Sequence, residues 1–468
     1  MAGRPPRFWD LVLYAVAMGF SIRWIAAAAA AGPVSLALWA LAVVGFMAPL
    51  VIATAELTTR FDGDGGIYAW TARTLGPFAG FLCAWLYWTC NLPFFSSLLY
   101  FIANALAEAG GPQARAAVAD PSVFVALALG LAAVVAGLHL AGLGTGKWLA
   151  NFGAAAAIAL LALLIVAGGL LAVRDGAATR FSWTKFALPL NADGAALWAT
   201  MVFAFGGPEA LALLRGDVEG GTRQVLRVLA VVGVGVTVAY MLGTLAMLSV
   251  LAPDDVSRLS GLPDALRLSL TRLGLAPLAP AAVVLLALSM LGAYSAWFGV
   301  AARLPFVIGV DRYLPAAFAW RHRRTGAPVA AIVVQTLAVF ALILLGQAGA
   351  TVKAAYDFLV SMSVLSYTLP FVFMFVVYLK VQITPLPPGG WTPGGAGVAR
   401  LVGAVGLTVT ASAIACTLVP SPEAADGLAA VAKLVLASAV LIASGVLIWL
   451  IARRNEAASN ARASVGVK

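Results

Sequence analysis

The chain has 468 residues, of which 62% are hydrophobic and only 10% are charged, whereas an average soluble domain is about 25% charged. This composition indicates an integral membrane protein. The three cysteines lie within apolar runs, which excludes a disulfide framework. The net charge of +10 is typical of a membrane protein whose cytoplasmic loops are enriched in Lys and Arg, so we expect no nucleic-acid partner.

Apolar runs of about 20 residues, the length that crosses a bilayer, fill the chain. We predict an all-α protein with about twelve transmembrane helices, separated by polar or Gly/Pro-rich joints. Two joints, 64–76 and 254–274, have the residue spacing of short amphipathic helices at the membrane surfaces. The predicted spans are 8–31, 33–57, 76–107, 121–143, 147–173, 192–215, 226–252, 277–308, 327–347, 354–380, 400–419 and 428–452.

The basic residues indicate an orientation in the cytoplasmic membrane. With an even number of spans and both termini in the cytoplasm, most of the 29 basic residues lie on the cytoplasmic side, as the positive-inside rule requires. Residues 1–7 are then a cytoplasmic N-terminus. Residues 453–468 form a polar cytoplasmic tail that we expect to be disordered. A cleaved secretory signal is the alternative for the first span, but the apolar run continues to Ala31 and is long for a signal core.

Arg23 lies near the centre of the first span, within "YAVAMGFSIRWIAAAAAAGP" (14–33). A charged side chain at a helix centre costs about 2.5–3.5 kcal/mol on insertion scales. Arg23 is therefore expected to face a cavity, a carboxylate or backbone carbonyls. The alternative is that the first span ends early and that Arg23 reaches the membrane surface.

The sixth span contains "FAFGGPEA" (203–210). Two glycines followed by proline are unfavourable inside a helix, so we expect this span to be broken, with Glu209 just after the break. The alternative is a proline kink with a packing role only. Non-helical backbone at membrane depth is tolerated where it lines a cavity or is buried in protein. Interrupted helices at matching positions of two halves are typical of a transporter binding site.

Five stretches in chain order carry a family resemblance: "AAGP" (30–33), "TAELTTRF" (54–61), "GGIYAWTARTLGPFAGFLCAWLYW" (65–88), "FAFGGPEA" (203–210) and "RLPFVIGVDRYLPAAFA" (303–319). Together they resemble the amino acid–polyamine–organocation superfamily of permeases. The resemblance implies a leucine-transporter-type core with broken helices 1 and 6. Residues 8–173 and 192–380 would be two inverted repeats of five spans around a midplane site. Residues 400–452, the last two spans, would lie outside this core.

The resemblance also implies candidate substrate-binding residues. In the family, a Gly-rich break in span 1 binds the amino acid carboxylate, and "GFSIR" (19–23) is the matching place, with arginine where the later glycine would be. Asn91 is similar to an asparagine that contacts substrate in the arginine–agmatine exchanger; an interhelical hydrogen bond is the alternative. Tyr294 could add a hydroxyl, for which interhelical bonding is again the alternative. The candidate residues are Gly19, Ser21, Arg23, Asn91, Phe203, Phe205, Gly206, Gly207, Glu209 and Tyr294.

These observations predict a secondary transporter that moves amino acids by alternating access, through uniport, proton symport or exchange. We expect Arg23 either to pair with Glu209 or to bind a substrate carboxylate, since guanidinium–carboxylate pairs are directional. Both options disfavour a polyamine, the alternative substrate. A non-transporting sensor on the same fold is a further alternative. No catalytic residue, cofactor or metal site is predicted, because no P-loop is present and the two histidines are far apart. The oligomeric state stays open.

Overall fold

A computed structural model describes residues 8, 12, 16, 19–61, 66–141, 143–186, 191–210, 221–307, 313–420 and 426–465. Within these residues the regular structure is entirely helical. The helices are α1 (Arg23–Ala29), α2 (Val34–Ala42), α3 (Ala48–Arg60), α4 (Gly66–Leu75), α5 (Pro77–Thr89), α6 (Asn91–Ala109), α7 (Gly111–Val118), α8 (Pro121–Ala141), α9 (Leu143–Asp175), α10 (Ala192–Ala204), α11 (Gly221–Val250), α12 (Gly261–Arg272), α13 (Ala279–Ala301), α14 (Leu304–Val307), α15 (Val329–Gln347), α16 (Val352–Val381), α17 (Ala396–Thr417) and α18 (Gly427–Val465).

Ten helical segments among the described residues are long and apolar enough to cross a membrane: Val34–Arg60, Pro77–Ala109, Pro121–Ala141, Asn151–Asp175, Leu226–Val250, Ala276–Phe306, Val329–Gln347, Val352–Val381, Ala396–Thr417 and Gly427–Glu456. They correspond to ten of the predicted spans and confirm the all-α membrane architecture. The remaining two, 8–31 and 192–215, are those predicted to be broken. Most of the first half of 8–31, and residues 211–215, lie outside the described residues. The total of twelve spans and the inverted repeats stay predictions.

The predicted span 76–107 consists of two helices, α5 and α6, which meet at Cys90. Pro93 lies in the first turn of α6, where its missing N–H and its ring disrupt the hydrogen bond to the preceding turn. The Asn91 side chain caps the end of α5, whose last carbonyl groups lack intrahelical donors, because its Nδ2 donates to the carbonyl oxygens of Tyr87 and Trp88 at 3.1 and 3.0 Å. This junction places Cys90 and Asn91 at the middle of the membrane-length segment.

The two amphipathic joints form α4 and α12, as predicted. In α12 the residues Leu262, Leu266 and Leu270 are buried within the protein, because their spacing places them on one face of a helix. The expectation of a disordered tail is wrong for residues 453–465, since α18 continues to Val465. This segment is rich in Ala and Arg, which are strong helix formers.

Helices α6 and α16 lie at the centre of the protein. In the most apolar stretch of Pro77–Ala109, 83% of the residues are buried, and in that of Val352–Val381, 72% are buried. The corresponding share is 44% or less in the other eight segments. The helices around them therefore expose apolar side chains to lipid. The candidate site lies beside α6 and α16.

Candidate substrate site

The predicted break in span 6 is present in the backbone. Helix α10 ends at Ala204, and Gly207 has a φ of 116°, a value that residues with a Cβ rarely adopt. In span 1 the backbone leaves the helical conformation at Phe20 and Ser21 before α1 begins. A Cβ on Gly19 would lie 3.6 Å from Cδ of Pro208. The two breaks therefore lie next to each other, separated by little more than the space that one methyl group would fill.

Tyr240 of α11 joins the two breaks. Its hydroxyl oxygen accepts a hydrogen bond from the backbone N–H of Ser21 at 3.1 Å and donates to the carbonyl oxygen of Ala204 at 3.1 Å. Interrupting a helix leaves such backbone groups without partners, and Tyr240 satisfies one in each break. Trp39 stacks on the Tyr240 ring with centroids 4.5 Å apart, which fixes the ring in place. Neither residue was predicted from the sequence as part of the site.

A central cavity of about 50 Å³ lies beside the two breaks. At roughly 10–15 Å³ for each water, it has room for only a few water molecules in this conformation. Its lining includes five of the ten predicted site residues, which are Gly19, Ser21, Asn91, Phe203 and Gly206. It also includes aromatic residues that were not predicted, which are Phe20, Trp24, Phe94, Trp297 and Tyr367.

Arg23 is completely buried but does not line the central cavity. Its Nη1 donates to Oγ of Ser97 at 3.1 Å. Its Cζ lies 4.0 Å from the Trp24 ring centroid and 5.1 Å from that of Phe94, so two walls of the cavity make cation–π contacts with the guanidinium. Nε and Nη2 have no hydrogen-bond partner. Its burial rules out the alternative that Arg23 reaches the membrane surface. The expectation that it faces a cavity, a carboxylate or backbone carbonyls is also wrong among the described residues, because the guanidinium contacts a serine hydroxyl and two aromatic rings instead.

Glu209 is bound by three donors, and Arg23 is not one of them. Its Oε1 accepts from the hydroxyls of Tyr367 at 2.6 Å and Tyr87 at 3.1 Å. Its Oε2 accepts from the backbone N–H of Gly207 at 2.9 Å. The expected Arg23–Glu209 pair is therefore absent between these two described residues in this conformation. Glu209 instead holds the span 6 break against α5 and α16.

Of the predicted residues Asn91, Phe205, Gly207 and Tyr294, only Asn91 lines the central cavity. The Asn91 amide donates to carbonyl oxygens of α5, the helix just before it in the same span, rather than to a helix of another span. The Phe205 ring packs edge-on against Trp39 and Tyr240. Tyr294 is fully buried, and its hydroxyl has no hydrogen-bond partner. Gly207 shapes the turn without lining the cavity.

A second, larger cavity of about 550 Å³ lies beside α12 and the start of α16; we call it the vestibule. Its charged lining includes Arg258 and Asp357, whose Nη1 and Oδ2 lie 3.6 Å apart. Tyr356 also lines the vestibule and faces the Arg23 guanidinium. Arg23 thus lies between the vestibule and the aromatic wall of the central cavity.

A buried cluster lies at the other end of α16. Glu56 of α3 is fully buried and accepts from Nε of Arg60 at 2.7 Å. It also accepts from the hydroxyl of Tyr378 at 2.8 Å, Nε2 of Gln382 at 2.9 Å and the hydroxyl of Thr392 at 3.1 Å. At 1.5 Å per helical residue, Tyr378 lies about 30 Å along α16 from the vestibule. We call this group the Glu56 cluster; it ties α3 to the end of α16 and the segment after it.

Comparison with known proteins identifies the group to which this structure belongs. A family model described as Amino acid permease matches residues 7–452. The chain belongs to the amino acid permease family. Its relatives are transporters, so the permease is a membrane transport protein and not an enzyme.

Three relatives illustrate the range of similarity. An uncharacterized transporter of Legionella pneumophila is 26% identical over 419 residues, which cover 89% of each chain. A protein of Escherichia coli named for arginine/ornithine antiport is 25% identical over 372 residues, 77% of each chain. A protein of Lactococcus lactis named as a probable agmatine/putrescine antiporter is 22% identical over 263 residues, 56% of the permease and 55% of the relative.

Proposed function

We propose that the permease is a secondary transporter that moves amino acids across the cytoplasmic membrane by alternating access. The observation that carries this proposal is the close approach of the two broken segments, which Tyr240 bridges, beside a cavity lined by both. Broken helices offer backbone groups that can hold the charged ends of a substrate within the membrane. The family assignment supports amino acids as the substrate class.

The proposed substrate contacts are Gly19, Ser21, Asn91, Phe203 and Gly206, because these predicted residues line the central cavity. In this conformation the N–H of Ser21 is bound by Tyr240, so a substrate carboxylate would compete with that hydroxyl. Phe203 packs edge-on against Trp24 and Tyr367, which makes it a wall against which an apolar substrate side chain can pack.

The proposed orientation places both termini in the cytoplasm, following the distribution of basic residues. The vestibule then faces outward and the Glu56 cluster faces inward. Alternating access requires the cavity to connect with one side at a time. In this conformation Glu56 makes four hydrogen bonds at this end of the protein, and we propose that these bonds break when a substrate leaves into the cytoplasm.

The test is uptake into proteoliposomes, with labelled amino acids and polyamines, with and without an inward proton gradient. Ala293→Trp fills the central cavity, which Ala293 lines, and should abolish saturable uptake. Ala281→Trp is the matched control, because Ala281 is exposed on the same helix. Stimulation by the gradient would indicate proton coupling, and stimulation by internal amino acid would indicate exchange.

Full uptake by Ala293→Trp would contradict transport through the central cavity. Binding of an amino acid without any uptake or exchange would favour a non-transporting sensor. Preferential uptake of a polyamine would support the second candidate substrate. Two observations favour that candidate: the aromatic lining, since aromatic rings attract cations, and the name of the Lactococcus lactis relative.

A further inference from the structure

Arg23 carries a positive charge that no carboxylate neutralises at close range. No ion pair within 4.0 Å involves Arg23, as judged from the acidic residues that the structure describes. The Glu209 carboxylate is already held by two tyrosine hydroxyls and a backbone N–H. Arginine stays protonated in proteins. The interior beside the central cavity therefore has a fixed positive charge at Arg23, in addition to the Glu209 carboxyl group, which is bound to Tyr367 of the cavity lining.

This charge acts on the central cavity through a thin wall. Trp24 and Phe94 line the cavity, and the guanidinium lies against the rings of both. A solute in contact with Trp24 would place its charged groups about 8 Å from Cζ, assuming one further van der Waals contact. At an effective dielectric constant of about 20, a unit charge at that distance changes a binding constant by roughly thirtyfold.

We infer that Arg23 sets the charge selectivity of the central cavity, admitting solutes with a carboxylate and no excess positive charge and rejecting polyamines. The inference rests on the proposed function, because it concerns the same cavity. Nε and Nη2 make no hydrogen bond, although the Tyr356 side chain interacts electrostatically with the guanidinium. The selectivity therefore acts through the Arg23 charge at a distance rather than through direct contact with the substrate. The permease would then differ in substrate charge from its relatives named for agmatine, putrescine, arginine and ornithine.

The aromatic lining does not contradict this inference. Aromatic faces bind cations, but Arg23 already lies against Trp24 and Phe94. A second cation at the same two rings would be repelled by the positive charge of the Arg23 guanidinium. The Trp24 and Phe94 rings therefore bind the Arg23 guanidinium, and they offer a solute mainly apolar contact.

The experiment uses four probes of similar size whose net charge rises in unit steps: glutamate, norvaline, ornithine and putrescine. Each is titrated into the purified permease, and affinity is measured from ligand-induced thermal stabilisation. The same series is measured with Arg23→Gln, which removes the charge, and Arg23→Lys, which keeps it. Arg323→Gln is the matched control, since Arg323 is an exposed arginine.

For the native protein we expect norvaline or glutamate to bind at least about tenfold more tightly than ornithine, and putrescine to bind most weakly. Arg23→Gln should reduce the ratio between the weakest and the tightest dissociation constants at least about tenfold. Arg23→Lys and Arg323→Gln should leave the probes in the same order of affinity. A merely structural role would weaken all four probes alike. An unchanged range in Arg23→Gln would overturn the inference, as would tighter binding of putrescine than of norvaline to the native permease.

The outcome is separate from that of the transport assay. If the affinities follow probe charge and depend on Arg23 but the protein shows no uptake, the selectivity is supported and the proposed transport is contradicted. If amino acid uptake is saturable but the affinities do not depend on Arg23, the transport is supported and the selectivity is contradicted. If Arg23→Gln does not fold, the native protein still tests the inference, because tighter binding of ornithine or putrescine than of norvaline would overturn it.

Discussion

Gly206 should tolerate no side chain, because it lies against the ring that holds Glu209. A Cβ at Gly206 would lie 2.1 Å from Cε1 and 2.8 Å from the hydroxyl oxygen of Tyr367. The ring would have to move, and its 2.6 Å hydrogen bond to Glu209 would be lost. Overpacking costs about 1–3 kcal/mol, and a lost hydrogen bond to a charged group costs about 1.5–3 kcal/mol. Gly206→Ala should therefore lower the free energy of unfolding by about 2.5–6 kcal/mol.

The assay is thermal unfolding of the purified permease, combined with uptake at a temperature where the variant stays folded. Gly130→Ala is the control, because nothing lies within 4 Å of a Cβ built at that position. Alanine is favoured over glycine within a helix by about 0.5–1 kcal/mol, so this variant should unfold at or slightly above the native temperature. Native stability and native uptake in Gly206→Ala would refute the packing described for the span 6 break.

Two further substitutions test the Glu56 cluster and the Tyr240 bridge between the two breaks. Glu56→Gln should destabilise the protein by about 3–5 kcal/mol, because it breaks a buried ion pair and leaves Arg60 without a charged partner. The control is Glu456→Gln, which changes an exposed ion pair and should cost under about 1 kcal/mol. Equal unfolding temperatures for the two variants would contradict the stabilising role of the Glu56 cluster. Tyr240→Phe should lower the free energy of unfolding by about 1–3 kcal/mol, because Ser21 and Ala204 lose the shared hydroxyl. It should also alter substrate affinity more than a substitution far from the cavity that is equally destabilising. An unchanged unfolding temperature and an unchanged affinity would show that the bridge is unimportant.

The spans and their interruptions could be predicted because they depend on local sequence. Apolar runs of membrane length form helices in lipid wherever they lie, and Gly206, Gly207 and Pro208 cannot continue one. The division of the third span at Cys90 was missed. Pro93 was visible there, but a proline near the middle of a span can end a helix or only kink it.

The site was harder to predict because it depends on how each helix is rotated. One residue along a helix turns the side chain by about 100°, which is enough to place Ala293 on the cavity wall and Tyr294 behind it. The sequence indicated that Arg23 is buried but not that its guanidinium lies against Trp24. Nothing in the sequence marks Tyr240 as the bridge between the breaks, because its partners are backbone groups more than 30 residues away.

The central claim is that substrate binds between the two breaks, and a map of the bound complex tests it most directly. The permease would be imaged by electron cryomicroscopy with the amino acid that gives the greatest saturable uptake. The account predicts density in the central cavity, in contact with Ser21 and Gly206 and bounded by Phe203. Density confined to the vestibule at Arg258 and Asp357, with an empty central cavity, would contradict it.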